Sequence, residues 1–347
     1  MKTRHFFAGV NSPSGFYSHF DMIAPDKDCK RKIYIKGGPG TGKSSLMKKI
    51  AAYAAEEGYD TDVFHCSSDA ASLDGVYIPK LKTAVVDATA PHGDDPDFPG
   101  LNGGIFNAAA YLRRESLKEH YGDIIHFANY KKTAFSRAYA YLSAAAPLLQ
   151  SIEKSYREKM YMHGVEIEAQ RTISKYLPDI IMPKTGKLRK LFLSAVCPEG
   201  YVNYLDSAFS PRNTVTVKGA GSRDFCGRVL NAALSRGFSA EAFYCPMAPG
   251  AAPEHIIIPE LKIAFTTYNH FHHFQGADTI DLNEYTGGVP ETADADWREA
   301  ENLLLAAQTA LSDARAAHKC LEDFYVPAMD FESLSKDAEK IIDSIFE

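Results

Sequence analysis

The residues best suited to chemistry are Gly37, Gly38, Pro39, Gly40, Thr41, Gly42, Lys43, Ser44 and Ser45. Positions 37 to 44 fit G-x-x-x-x-G-K-[ST] at every required place, after the apolar run KIYI and before the amphipathic stretch SSLMKKIAAYAAEEG. In that setting the glycines let the backbone turn its N–H groups inward around an anion, and the start of a helix adds a favourable dipole. Lys43 would reach the β- and γ-phosphates of a nucleoside triphosphate, and the Ser44 hydroxyl would ligate Mg²⁺. Such a magnesium site also wants a carboxylate at the end of a neighbouring strand. The run Thr83-Ala84-Val85-Val86-Asp87 supplies one, so Ser44 and Asp87 are the expected metal ligands.

The fate of the triphosphate is less determined. Ala88 and Thr89 follow Asp87, where many ATPases carry a glutamate that orients water. Asp69, in Cys66-Ser67-Ser68-Asp69, is a candidate base for a hydroxyl acceptor, with Asp74 beside it; the alternative is an Asx or Ser turn. Three readings follow: a magnesium-dependent ATPase coupled to a conformational or regulatory role, a kinase passing the γ-phosphate to a nucleotide or small molecule, and a module that binds ATP without turning it over. Lys43, Asp87 and Asp69 are the expected catalytic groups. No Asn/Thr-Lys-x-Asp tetrapeptide for guanine occurs, which favours ATP over GTP. Candidate arginines for charge stabilisation are Arg113, Arg114 and Arg137, with Arg212, Arg223 and Arg228 further along. His92, Asp94, Asp95 and Asp97 stand in a polar loop after Asp87, and His270, His272 and His273 form a second polar cluster with His-x-His spacing.

The elements that must position these residues occur twice. FFAGVNSPSGFYSHFD, from Phe6 to Asp21, is matched by LFLSAVCPEGYVNYLD, from Leu191 to Asp206. KIYIKG, a helix, VFHC and YIPKLKTAVVD are matched in order by TVTVKG, a helix, AFYC and IIPELKIAFTT. In the second copy the loop shortens to Gly219-Ala220-Gly221-Ser222-Arg223, and Thr266-Thr267 replaces the strand end at Asp87. The packing residues persist while the lysine and both metal ligands are lost, as expected if only the first copy does this chemistry. Short apolar strands alternating with helices predict an α/β fold with two doubly wound parallel sheets. The first unit covers 1–104, with a helical insert or hairpin over about 105–180 that Pro147 and Gly164 interrupt and 178–183 closes; 184–347 forms the second unit, ending in helices near 296–324 and 331–345.

The Gly-Pro-Gly-Thr-Gly-Lys-Ser loop resembles those of the P-loop NTPase superfamily. The tandem order, with VFHCSSD, IPKLKTAVVDATAPH and a degenerate second half, also resembles a family of two-lobed bacterial ATP-binding proteins without an assigned role. The first resemblance implies two P-loop NTPase-like units, one degenerate, with ATP and Mg²⁺ as ligands. A formal net charge of −6 gives no general attraction to nucleic acid or anionic membranes. The basic run from Lys184 to Lys190 reads as a solvated linker face. The amino terminus lacks a signal peptide's apolar core, no stretch has the length of a membrane helix, and the cysteines are scattered. A cytoplasmic protein with reduced thiols and a protein or small-molecule partner is the expectation.

Overall fold

The protein is described here by a computed structural model covering residues 2–24, 29–90, 95–96, 100–101 and 103–347. The first half contains strands β1 (Thr3–Phe7), β2 (Gly9–Ser12), β3 (Gly15–Ser18), β4 (Arg31–Lys36), β5 (Thr61–Cys66), β6 (Asp69–Ile78), β7 (Thr83–Asp87) and β8 (Gly103–Asn107). Helix α1 (Lys43–Glu56) lies among them, and α2 (Arg114–Lys118), α3 (Tyr121–Glu158) and α4 (Met162–Tyr176) follow. The second half repeats the plan with β9 (Leu188–Leu191), β10 (Ser194–Cys197), β11 (Gly200–Asn203), β12 (Thr214–Lys218), β13 (Ala240–Phe243), β14 (His255–Ile258), β15 (Ile263–Tyr268) and β16 (Asp278–Asp281). Its helices are α5 (Leu205–Ala208), α6 (Ser222–Ser235), α7 (Ala293–Tyr325) and α8 (Phe331–Phe346).

Two six-stranded sheets result, ordered β1-β5-β6-β7-β4-β8 and β9-β13-β14-β15-β12-β16, so the halves match strand for strand. Both are mixed rather than wholly parallel, because β6 and β14 run against their neighbours. Connection length explains the reversal of β6. Ser67 and Ser68 alone join β5 to β6, too short for the crossover that a parallel pair needs. The repeated Ile-Pro-x-Leu-Lys element is the tight turn out of β6 and β14. Lys82 and Lys262 close it at φ 53° and 52°, the two non-glycine residues with positive φ among those described. The central strands are buried on both faces, as packing between helices requires: Ile33, Tyr34 and Ile35 of β4 are buried, and in β12 Val215 and Val217 are buried on one face and Thr214 and Thr216 on the other.

The helices do not stay with the sheets that precede them. α4 packs Val165, Ala169 and Ile173 against Phe225, Cys226 and Val229 of α6, in the second half. α8 reciprocates, placing Leu334, Ala338 and Ile345 on Leu46, Met47 and Ile50 of α1. The exchange is fixed by matching backbone bonds. Asp330 N–H donates to Tyr111 C=O (2.9 Å) and Arg113 N–H to Ala328 C=O (2.8 Å); Tyr161 N–H donates to Tyr285 C=O and Gly287 N–H to Lys159 C=O, both 2.8 Å. A division at residue 183 therefore separates the repeats in sequence but not in packing. Nor does the insert fold back as a hairpin. α3 runs through Pro147 without a break and packs on α7, through a seam containing Ala138, Leu142, Ala145, Ala307, Ala310 and Leu311. The break after α3 falls at Lys159–Tyr161, while Gly164 lies inside α4, where Tyr285 leaves no room for a Cβ.

The sheets meet where β1 faces β9. Phe7 and Phe192 exchange two backbone hydrogen bonds, of 2.9 and 3.1 Å. Phe6 stacks on Phe243 with centroids 5.8 Å apart. Arg189, which the sequence assigns to a solvated linker, is drawn into this interface instead. Arg4 and Arg189 both pair with Asp62 and Glu241, and the Asp62 side chain is only 2% exposed. The two guanidinium groups hold the Asp62 carboxyl below its usual range despite burial. Among the described residues no helix is long and apolar enough to cross a membrane, and all six cysteines are free thiols.

Candidate functional site

β4 and β7 are parallel neighbours, with Ile35 opposite Asp87 in register. The Gly37–Ser44 loop leaves the carboxyl end of β4, and Asp87 ends β7 beside it. Gly40 and Gly42 take φ 64° and 84°, conformations that side chains resist, and Gly42 caps α1. The first backbone bond of the helix is Leu46 N–H to Gly42 C=O, 3.0 Å. The amides of Lys43, Ser44 and Ser45 thus lie at the helix start, where intrahelical acceptors run out.

Side chains brace the loop from within. Thr41 is buried and its hydroxyl donates to Gly38 C=O (2.9 Å). The Thr89 hydroxyl donates to Gly37 C=O (2.9 Å) and accepts from Gly37 N–H (3.3 Å). Lys43 Nζ donates to the carbonyls of Gly37 (3.0 Å) and Gly38 (2.8 Å) and lies 3.7 Å from Asp87 Oδ2. Asp87 Oδ1 accepts from Thr89 N–H (2.8 Å), and Ser44 Oγ accepts from Leu73 N–H (2.9 Å) on β6. Gly75 pairs with Val86, so Asp74 and Asp87 follow on adjacent strands at this edge. The sequence-derived residues Lys43, Ser44 and Asp87 are therefore gathered in one place. Pro39 lies in the same loop, half-buried, and Ser45 is exposed on the first turn of α1.

Asp69 is held in a local turn, accepting from Ala71 N–H (3.2 Å) and from the Ser72 hydroxyl (2.6 Å). Of the acidic loop after Asp87, His92, Asp94 and Asp97 lie outside the described residues, while Asp95 pairs with Lys36 at 2.7 Å.

The other wall of the site comes from the far end of the chain. The carboxyl end of α7 lies over the loop. A Cβ on Gly38 would come within 3.0 Å of the Tyr325 ring, and one on Gly40 within 2.7 Å of Val326. The Glu322 carboxylate faces the Gly40 N–H and is one turn from His318, at 3.6 Å. Lys131 of α3 reaches His318 at 3.4 Å. Burial and the nearby Asp69 push the Glu322 carboxyl up, against the pull of the Gly40 amide. Burial, with Lys131 and Lys43 close by, pushes His318 down to about 4, so it is neutral at physiological pH. Burial and Lys43 likewise lower Lys131. A carboxylate, a neutral imidazole and an ammonium group thus face the loop. None of the three was identified from the sequence. The signal lies in the repeat: aligning Met160 with Met329 places Glu153 of α3 opposite Glu322 of α7.

The second loop is organised differently. The Ser222 hydroxyl donates to Gly219 C=O, and Arg223, at the place of Ser44, pairs with Glu153. Arg228 pairs with Glu166 at 2.5 Å. Neither arginine reaches the first loop: Glu153 lies about 33 Å along α3 from Lys131, at roughly 1.5 Å of rise per residue. Arg212 is exposed on a separate turn. Arg113 donates to Pro327 C=O (2.8 Å), while Arg137 pairs with Asp313 at 3.3 Å. The histidine cluster does not converge. His270 pairs with Glu301 (2.8 Å) and stacks on Trp297, His273 lies against Tyr268, and His272 alone is fully buried.

Comparison of the chain with protein-family models, with curated proteins and with solved structures gave no match.

Proposed function

We propose that the chain is a P-loop NTPase that binds ATP with Mg²⁺ at Gly37–Ser44 and hydrolyses it, with α7 reporting the nucleotide state. The observation that carries this reading is the convergence of Lys43, Ser44 and Asp87 at the ends of β4 and β7. Lys43, now bonded to two loop carbonyls, is placed to exchange them for β- and γ-phosphate oxygens. The amides at the start of α1 would hold the β-phosphate. The donor set suits magnesium, since the Ser44 hydroxyl and the Asp87 carboxylate are hard oxygen ligands. Held by Ser44 and Asp87, the ion would offset the negative charge of the triphosphate.

Hydrolysis needs a group to orient water, and Ala88 follows Asp87 where the glutamate is usual. Glu322 fills that role in this proposal: it faces Gly40, and burial and Asp69 push its carboxyl up, the direction that strengthens it as a base. Its carboxylate faces an amide that phosphate would take, so bound nucleotide would displace it. Such a displacement moves the end of α7, which lies against α3 and continues into α8 on α1. That linkage favours a switch over a kinase, since Asp69 is tied into its own turn.

Phosphate release by the purified protein tests the reading. Basal release that needs Mg²⁺ and vanishes in Lys43→Ala supports it. ADP formed only with an added acceptor would replace it with a kinase, and binding without turnover with a non-hydrolysing module.

A further inference from the structure

Glu254, His255 and His272 meet inside the second unit, and all three are buried, at 6%, 1% and 0% exposure. One ligand-type atom from each lies within 4.8 Å of the other two. On these three side chains Glu254 Oε2, His255 Nε2 and His272 Nδ1 have no hydrogen-bond partner. A buried carboxylate oxygen and two ring nitrogens left without partners are costly, so their convergence calls for a common ligand.

The remaining polar atoms of the same side chains are all engaged. His255 Nδ1 bonds the Thr266 hydroxyl (2.8 Å), His272 Nε2 bonds the Ser194 hydroxyl (3.1 Å), and Glu254 Oε1 accepts from Asn269 Nδ2 (3.3 Å). Asn269 also turns the chain inward by accepting from the amides of Phe271 and His272. Metal-binding imidazoles are oriented in this way, one nitrogen fixed by a hydrogen bond and the other presented.

We propose that Glu254, His255 and His272 bind a divalent first-row transition metal ion, zinc above all. Two imidazoles and one carboxylate are borderline donors that suit such an ion better than Mg²⁺ or Ca²⁺. Around a tetrahedral ion the ligand atoms stand roughly 3.3 Å apart, at bond lengths of about 2.0–2.1 Å. His272 Nδ1 and Glu254 Oε2 are already 3.7 Å apart, so a small closure suffices. The three ligands leave a further position for water.

The place of the site within the repeat is informative. Glu254 corresponds to Asp74, as the registers of β14 with β15 and of β6 with β7 show. The second unit has lost the lysine and the strand-end carboxylate, yet it keeps an acid at this position and adds two histidines. The inference does not depend on ATP binding at the first loop.

Cobalt titration of the chelator-treated full-length protein tests it, read by visible d–d absorption and by displacement with Zn²⁺. The expected result is saturation at one ion per chain, with a rise in Tm on adding either ion. His255→Gln and His272→Gln should abolish the signal, and Ser194→Ala should weaken binding by about 10–100-fold. The double variant His270→Ala/His273→Ala and Lys43→Ala should bind as the parent does. Absence of a saturable signal in the unaltered protein overturns the proposal whatever the variants do. So does a signal that survives His272→Gln or that disappears with His270 and His273.

Discussion

Replacing Glu322 by Gln removes one negative charge from beside the Gly40 amide while keeping the size of the side chain. We take a separation on the order of 5 Å between a phosphate on that amide and the carboxylate it displaces. At that distance one charge pair costs about 0.8 kcal/mol at the dielectric of water and about 3 kcal/mol at an effective value of 20. The Glu322 side chain is 42% exposed, which places the site toward the lower figure. A gain of about 1–1.5 kcal/mol, roughly five- to twelve-fold in ATP affinity, is expected. Turnover should move the other way, falling about 100-fold or more if the carboxylate orients the attacking water. Fluorescent-nucleotide titration gives the first quantity and phosphate release the second. The kcat–pH profile adds a separate readout. Its acid limb should be shifted upward from that of an ordinary glutamate in the parent, in the direction of the Glu322 shift, and be missing in Glu322→Gln. Unchanged affinity together with unchanged turnover would refute the role given to α7.

Three further outcomes follow from the packing. Asp62→Ala leaves Arg4 and Arg189 sharing Glu241 in a buried interface, and should cost about 3–5 kcal/mol in urea unfolding; a loss below about 1 kcal/mol would show that the network contributes little. Leu334→Ala opens a cavity between α8 and α1, beneath the loop, and should cost about 2–5 kcal/mol. Because α8 packs on the first unit, the same variant should also lower ATP affinity, which the nucleotide titration checks. His65 is pushed down to about 4 by burial, against about 6.5 in the unfolded chain. The unfolded state therefore takes up a proton that the folded state refuses. The stabilisation is complete above about pH 6.5 and is lost at roughly 1.4 kcal/mol per pH unit as pH falls toward 4. His65→Gln should flatten the stability–pH curve by that slope, and denaturation series at pH 7.5, 6 and 5 measure it.

The fold was legible where local rules act alone. The period of the apolar residues, Leu46, Met47, Ile50 and Ala54, gave α1 its buried face, and the repeat revealed two equivalent units. Strand direction was less legible, because the reversal of β6 depends on the two-residue link at Ser67 and Ser68, which apolar periodicity does not weigh. The exchange of α4 and α8 was hidden for a different reason. Val165 and Leu334 show only that a helix has an apolar face, not which sheet receives it. Of the site, Lys43, Ser44 and Asp87 could be read from one motif and one strand end. Glu322, His318 and Lys131 carry no motif, since they come from helices paired across the repeat, and only Glu322 is marked in the sequence, by its match with Glu153. The His270–His273 cluster shows the same limit. His272 turns inward, and the residues that meet it, Glu254 and His255, lie before β15 rather than beside it in sequence.

The most direct test of the central claim is calorimetric titration of ATP, with and without Mg²⁺, into the unaltered protein and into Lys43→Ala. The account predicts saturation at one nucleotide per chain, strengthened by Mg²⁺, and a loss of at least about 1.5–3 kcal/mol, or more than ten-fold in affinity, when the lysine is removed. Affinity that is the same in Lys43→Ala as in the unaltered chain would contradict it.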